Sequence, residues 1–165
     1  MTNAQDTLEE STTETVATDE GAIDIRLAVT PEDVEAAAHL FENPLHPHAV
    51  RRFLGDSSHH LILAWDGERP VGMVVVIEMT YPDRGTEMFL YDMRVADDHQ
   101  GQGIGHAMLD RLEALAVDTL CETVWVVTGT GERNAGARAT FLSRGATEDR
   151  ERVRYSWSTD PAERA

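Results

Sequence analysis

Lysine is absent from this sequence. Its 14 basic residues are all arginine, set against 30 aspartates and glutamates, for a formal net charge of −16 over 165 residues. A nucleic-acid backbone is bound by a basic face and an anionic membrane by clustered cations, so the balance argues against both partners. Cysteine is almost as scarce: the single Cys121 rules out an internal disulfide framework and suits a reducing cytoplasm. No apolar run approaches the roughly 20 residues that span a bilayer, and the polar, acidic N-terminus is unlike a signal peptide. A soluble, cytoplasmic protein is therefore expected. The acidity itself has two readings. It can draw a cationic substrate by its field, or adapt the surface to high salt. The complete lack of lysine favours the second and a salt-loving source. In molar salt the Debye length falls to about 3 Å, so long-range steering would mostly vanish.

The length suits one domain with one proper core. Residues 1–20 carry acids but no base and few large apolar residues, a composition that predicts a disordered tail. The domain is expected over 21–160, with a short C-terminal tail at 161–165. Ile23, Ile25, Leu27 and Val29 alternate as in a strand. Thr30-Pro31-Glu32-Asp33 then reads as a helix N-cap, with Val34, Ala37, Ala38 and Phe41 on the buried stripe. A short helix is expected at Ala49–Leu54, strands at Leu61–Trp65, Val71–Met79 and Met88–Val95, and a helix from Ile104 to Thr119. A strand at Val124–Thr128, a helix at Ala135–Arg144 and a last strand at Arg152–Ser158 complete the order. The pattern implies a mixed α/β (α+β) fold: a mostly antiparallel central sheet of six to seven strands flanked by about four helices.

The most informative stretch is Asp92-Met93-Arg94-Val95 followed by Gln100-Gly101-Gln102-Gly103-Ile104-Gly105. Its glycines sit between a strand and an amphipathic helix. Without a Cβ they let backbone N–H groups converge on an anion, and the helix N-terminus adds unpaired donors and a partial positive charge. Together these make a diphosphate cradle that needs no basic side chain. The bland alternative is a flexible surface loop. The spacing fits neither a dinucleotide-binding Gly-x-Gly-x-x-Gly nor a P-loop ending in Gly-Lys-Ser/Thr.

Gln100-x-x-Gly103-x-Gly105 resembles the acetyl-CoA signature Gln/Arg-x-x-Gly-x-Gly/Ala of the GNAT (GCN5-related) N-acetyltransferase superfamily. Met93-x-Val95 resembles the end of that family's fourth strand, and Ile104–Leu109 the start of its third helix. Asn134–Gly145 resembles its Asn-x-x-Ala-x-x-x-Tyr-x-x-x-Gly helix. The resemblance covers about residues 23–158. Within the superfamily, Glu87–Asp92 followed by Met93-Arg94-Val95 is most similar to the aminoglycoside 3-N-acetyltransferase group. The resemblance implies the GNAT fold, acetyl-CoA as cosubstrate, and direct attack of a primary amine on the acetyl group. It assigns coenzyme contacts to Met93, Val95, Gln100, Gly101, Gln102, Gly103, Ile104, Gly105, His106, Asn134 and Phe141. It also admits a homodimer paired through sheet edges, as many relatives form.

Such chemistry needs an amine that has lost its proton, near pKa 10.4 if lysine-like, and donors for an oxygen that gains charge. The family places a backbone N–H where two strands splay, which falls near Met93. Asp92 is the candidate base, directly or through water, and alternation would put Leu90, Asp92 and Arg94 on one face. Alternatively Asp92 pairs with Arg94 or binds an amide. Glu78 and Glu87 are further candidates to hold a cationic amine, or else solvated strand ends. One departure stands out: Phe141 occupies the place of the family's thiol-protonating tyrosine. Tyr91, Ser143 or Tyr155 would have to substitute, or the thiolate leaves unassisted. Asn134 contacts the pantetheine arm, caps its helix, or both.

His46-Pro47-His48 and His59-His60 match no zinc spacing and have no cysteine beside them, so no metal is expected. His46 and His48 fall where this fold lines its acceptor pocket. Trp65, Trp125 and Trp157 read as core or interface residues. Three functions compete: acetylation of a small cationic amine such as an aminoglycoside, acetylation of a protein N-terminus or lysine, and a non-catalytic acyl-CoA-binding module.

Overall fold

A strand begins inside the acidic stretch predicted to be a tail. The structure, a computed structural model, describes residues 14–18, 21–156 and 158–159. In it β1 (Glu14–Thr18) pairs antiparallel with β2 (Gly21–Leu27), Val16 opposite Ile23. The correction has a local cause. Thr15, Val16 and Thr18 are β-branched and favour extended backbone, and the edge of β2 has backbone groups that need partners. Composition averaged over 1–20 conceals so short a strand. The rest of that predicted tail, the 161–165 tail and Trp157 lie outside the described residues.

The chain divides into two units, the first ending at Val127 and the second starting at Thr128. The first holds one sheet with its strands in sequence order. β3 (His59–Asp66), β4 (Arg69–Tyr81) and β5 (Gly85–Val95) continue the antiparallel run, and β6 (Cys121–Val126) joins β5 in parallel. The parallel step needs a crossover, which α3 (Ile104–Asp118) supplies. On one face of the sheet, α1 (Pro31–Ala36) and α2 (Pro47–Leu54) place Val34 and Val50 in a core with Leu61, Leu63, Met73 and Val75. On the other lies α3, whose Met108 side chain is pressed against Gly72 of β4.

Local sequence explains the helices. The Thr30 hydroxyl accepts the Asp33 N–H at 3.2 Å while Asp33 Oδ2 accepts the Thr30 N–H at 3.1 Å, a reciprocal cap. The helix it opens is shorter than the apolar spacing predicted. It ends at Ala36 and a 3-10 turn follows over Ala38–Leu40, so that Leu40 is buried, Phe41 packs half-buried against the core and Ala38, expected inside, is exposed. α3 buries its predicted stripe of Ile104, Met108, Leu112, Leu115 and Ala116, together with Ala107, Leu109 and Arg111. No helix among the described residues is long and apolar enough to cross a membrane.

The second unit is built around α4 (Ala135–Ser143). Arg138 Nη1 donates to the carbonyls of Gly129 at 2.7 Å and Gly131 at 2.9 Å, which ties the preceding loop to this helix. The strand predicted at Arg152–Ser158 does not form among the described residues, and Val153 and Tyr155 are exposed. Alternation marks a potential face, but a strand persists only when a neighbour takes its backbone hydrogen bonds. Here the charged side chains pair locally instead, Arg150 with Glu148 and Arg152 with Asp149, each at 2.8 Å.

Candidate active site

β5 has strands on both sides only in its first half. Its ladder with β6 runs from Thr86–Cys121 to Leu90–Val126. Beyond it, Tyr91–Val95 keep β4 on one side and no strand on the other among the described residues. At this boundary the register with β4 slips: Leu90 opposes Val76 and Asp92 opposes Val75, leaving Tyr91 as the extra residue of a bulge. One added residue exchanges the faces. Leu90 stays on the α3 side, whereas Asp92 and Arg94 join Val75 and Met73 on the α1–α2 side. Simple alternation predicted all three on one face; the bulge separates Leu90 from the other two.

The same pairing fixes the backbone. The Ala96 N–H bonds the Val71 carbonyl at 2.8 Å. Stepping back by twos, Arg94 and Asp92 turn their backbone groups to β4, while Met93 and Val95 turn theirs to the open edge. There the Met93 N–H donates to Asp92 Oδ1 at 2.9 Å. Arg94 Nε donates to Asp92 Oδ2 at 3.3 Å, and Arg94 Nη2 lies 3.5 Å from Glu42 Oε2. Asp92 thus does both bland things foreseen for it, binding an amide and pairing with Arg94. Glu42, in the connection between α1 and α2, carried no sequence signal for this role.

Next to that edge lies the glycine loop. Gly101 and Gly103 have φ of 77° and 83°, a left-handed backbone that favours glycine, and no atom lies within 4 Å of where their Cβ would stand. Gly103 opens α3 with no side-chain cap. The first-turn amides of Ile104, Gly105 and His106 are therefore left for a ligand. A Cβ on Gly105 would stand 3.0 Å from Met93 Cε, so the helix start is packed directly against the residue with the open-edge amide. Gln102 holds its Oε1 buried without a partner. Gln100 braces the loop, its Nε2 donating to the Val95 carbonyl at 3.2 Å and to Asp97 Oδ1 at 3.0 Å. Free amides beside an orphaned acceptor fit acetyl-CoA, which has anionic oxygens at its diphosphate and N–H groups along its arm.

The face carrying Asp92 also carries Glu87 and Phe89. Phe89 stacks on Trp125 of β6 at 4.3 Å between centroids, and Tyr91 meets Phe89 edge-on at 5.9 Å. This aromatic ladder went unread in the sequence, although Phe89 and Tyr91 stand two apart in one strand. Glu78 faces the opposite way, the α3 side, where its Oε1 lies 2.5 Å from His60 Nε2. It is thereby separated from Asp92 and Glu87. His46 caps α2 without a side-chain hydrogen bond, and both His46 and His48 are exposed.

The other two expected coenzyme contacts lie in the second unit. Asn134 precedes α4 but makes no side-chain cap bond, contrary to the capping expectation, because its amide nitrogen is turned against Gly129. Phe141 is half-buried on α4. Of the hydroxyls proposed in place of the tyrosine, that of Ser143 donates to the Thr140 carbonyl at 2.7 Å, Tyr155 is 80% exposed, and Tyr91 stands at the bulge, 64% exposed.

A model of the acetyltransferase (GNAT) family matches residues 33–146. No curated protein sequence matches the chain. Solved structures with a similar fold include an aminoglycoside acetyltransferase from an uncultured soil metagenomic sample, 20% identical with a TM-score of 0.72, covering 82% of this chain and 99% of that one. Ribosomal-protein-alanine N-acetyltransferase from Brucella melitensis biovar Abortus 2308 is 20% identical, with a TM-score of 0.67 over 82% and 99% of the two chains. An aminoglycoside 6′-N-acetyltransferase in complex with CoA is 16% identical, with a TM-score of 0.68 over 83% and 95%. At these identities the likeness is one of fold.

Proposed function

Since this chain belongs to the acetyltransferase (GNAT) family, we propose that it transfers an acetyl group from acetyl-CoA to a primary amine of a small cationic, aminoglycoside-like molecule. One observation carries the reading: the open-edge amide of Met93 lies beside an uncapped helix N-terminus opened by two left-handed glycines. Acetyl-CoA, when bound, supplies the acyl thioester. The amides of Gly103–His106 hold the diphosphate. Val95 and Met93 offer the strand edge to the amide groups of the pantetheine arm.

The Met93 N–H donates to the carbonyl oxygen that gains negative charge, a contribution worth about 3–4 kcal/mol at comparable donors elsewhere. Asp92 takes the amine proton, directly or through water. To do so its carboxylate leaves the Met93 amide, and Arg94, already on Oδ2, steadies it as it turns. Glu87 and Asp92 share the face that meets a cationic acceptor, with Phe89 and Trp125 as its apolar wall. Glu78, engaged by His60 on the far face, is assigned no part. With Phe141 lacking a hydroxyl, Tyr91 is the preferred proton donor to the leaving thiol. The acetylated position follows either the 3-N group that β5 resembles or the 6′-N type named for one solved relative. We place the enzyme in a reducing cytoplasm at high salt, in keeping with one cysteine and a charge of −16.

Phe141, together with a carboxylate lying on the Met93 amide, favours one second reading, a module that binds acyl-CoA without turnover. Thiol release from acetyl-CoA against an amine panel in molar salt separates the two. Asp92→Asn retains an oxygen for the Met93 amide but is no base, so turnover should fall about 10²–10⁴-fold while CoA binding persists. Undiminished turnover in this variant removes Asp92 from the mechanism. Binding of CoA without thiol release for any amine leaves the module.

A further inference from the structure

His99 is one of the few charged or polar side chains buried in the first unit, 6% exposed, and it lies immediately before the Gln100–Gly105 loop. Both of its ring nitrogens face carboxylates. Nδ1 is 2.9 Å from Asp98 Oδ1 and Nε2 is 3.2 Å from Asp66 Oδ2. A carboxylate only accepts hydrogen bonds, so both nitrogens must carry protons, and the ring in this arrangement is imidazolium. The Asp98 carboxylate also accepts, at Oδ2, from Arg69 Nη1 at 2.8 Å. Asp66 ends β3 and Arg69 begins β4. The chain Asp66–His99–Asp98–Arg69 therefore closes a ring between the β3–β4 turn and the segment leading into the glycines. The backbone repeats the tie, with the His99 N–H on the Ala96 carbonyl and the Ala96 N–H on the Val71 carbonyl, each at 2.8 Å.

We propose that His99 is a positioning residue for coenzyme binding: as imidazolium it clasps the diphosphate loop to the β3–β4 turn, and on losing a proton it lets that loop go. The proposal rests on reading Gly101–Gly105 as the diphosphate cradle. Its physics is simple. A neutral imidazole has one donor, so one nitrogen would turn a lone pair toward a carboxylate and the contact there becomes repulsive. Asp66 or Asp98 must then swing away. The loop keeps its covalent path but not its fixed aim, and the amides are presented correctly in only a fraction of molecules. Apparent affinity falls by that fraction.

The charged groups facing His99 all act in one direction or are neutralised. Asp98 on its own turn is the main cause that raises its pKa, opposed by burial, with Asp66 from β3 adding to the rise. Arg69 from β4 meets Asp98, and the two neighbours hold the Asp98 carboxyl down at about 2. The signs follow. The raised His99 pKa gives a contribution fully present below the unfolded value of 6.5, lost as pH rises through the folded value. The depressed Asp98 value gives one present above 3.8 and lost as pH falls toward about 2. The clasp is complete between those limits and opens on the alkaline side.

The test is calorimetric binding of dephospho-CoA to the full chain across about pH 5.5 to 9 in molar sodium chloride. This probe lacks the phosphomonoester that itself titrates near pH 6, and the salt screens the distant surface charge. Affinity should be highest at the acidic end and fall about three- to tenfold through one alkaline transition. Asp66→Asn alters a half-exposed side chain whose carboxylate has no other partner among the described residues, so it should fold. It should move the transition to lower pH, because one of the groups holding the proton on His99 is gone. His99→Gln should bind weakly at every pH with no transition. A flat profile in the unaltered protein, or an unmoved midpoint in Asp66→Asn, overturns the clasp and leaves the cradle intact. Failure to bind dephospho-CoA at any pH overturns the cradle and the clasp together.

Discussion

The two halves of β5 are one continuous strand with different surroundings. From Gly85 to Leu90 it lies between β4 and β6, and Met88 and Leu90 are 0% and 3% exposed. From Tyr91 to Val95 it has β4 alone among the described residues, and Asp92, Met93, Arg94 and Val95 are only half-buried. In the first half the backbone is consumed by the sheet and the side chains build a core. In the second the backbone at Met93 and Val95 is turned outward, with side chains of this chain, Asp92 and Gln100, standing on it. An open edge is obtained here by withholding a neighbour, and the Tyr91 bulge marks where that begins.

Deleting Tyr91 is the severest way to break the distinction. Without the extra residue Asp92 directly follows Leu90 and stays opposite Val75 on the α1–α2 side, but the bulge's local twist and the Tyr91 hydroxyl are both lost. Amine-dependent thiol release should fall by at least about 10³-fold while circular dichroism keeps its α/β character. Retained turnover would show that neither the bulge nor the Tyr91 hydroxyl serves the site. A paired comparison is next. Leu90→Ala opens a cavity in the first half and should cost about 2–5 kcal/mol in denaturant unfolding. Arg94→Gln in the second half should change stability by less than about 1 kcal/mol yet slow turnover about tenfold or more. If the two variants exchanged these profiles, the division of β5 into a structural and a functional half would be wrong.

The smallest effect is expected at Gly105→Ala. Alanine gains roughly 1 kcal/mol of helix propensity over glycine, while its Cβ meets the flexible end of Met93 at 3.0 Å. Stability should stay within about 0.5 kcal/mol. The KM for acetyl-CoA should rise about two- to threefold as Met93 is displaced. An unchanged KM would mean that this helix–strand contact does not bear on the site.

What could be read from sequence was what is local. The Thr30–Asp33 cap, the buried stripe of α3 and the glycine-rich bend between β5 and α3 depend on residues a few positions apart, and each is found in the structure. What escaped depends on pairing. The bulge at Tyr91 exists only relative to β4, so alternation along β5 alone put Leu90 and Asp92 together. Glu78 looked equivalent to Glu87 until the register sent them to opposite faces. β1 was hidden by the acids around it, and the Arg152–Ser158 alternation had no partner strand to make it real. Asp92 was legible as an acid in a strand that needed explanation. That it sits on the Met93 amide required the open edge, which only the sheet reveals.

The central claim is that the Met93 amide and the first turn of α3 receive acetyl-CoA. Amide hydrogen exchange, measured residue by residue with and without acetyl-CoA and with no amine present, tests it most directly. Met93, Ile104, Gly105 and His106 should gain protection together, with Leu90 and Met88 unchanged. Saturable binding of acetyl-CoA that leaves those four amides exchanging as before would contradict the account.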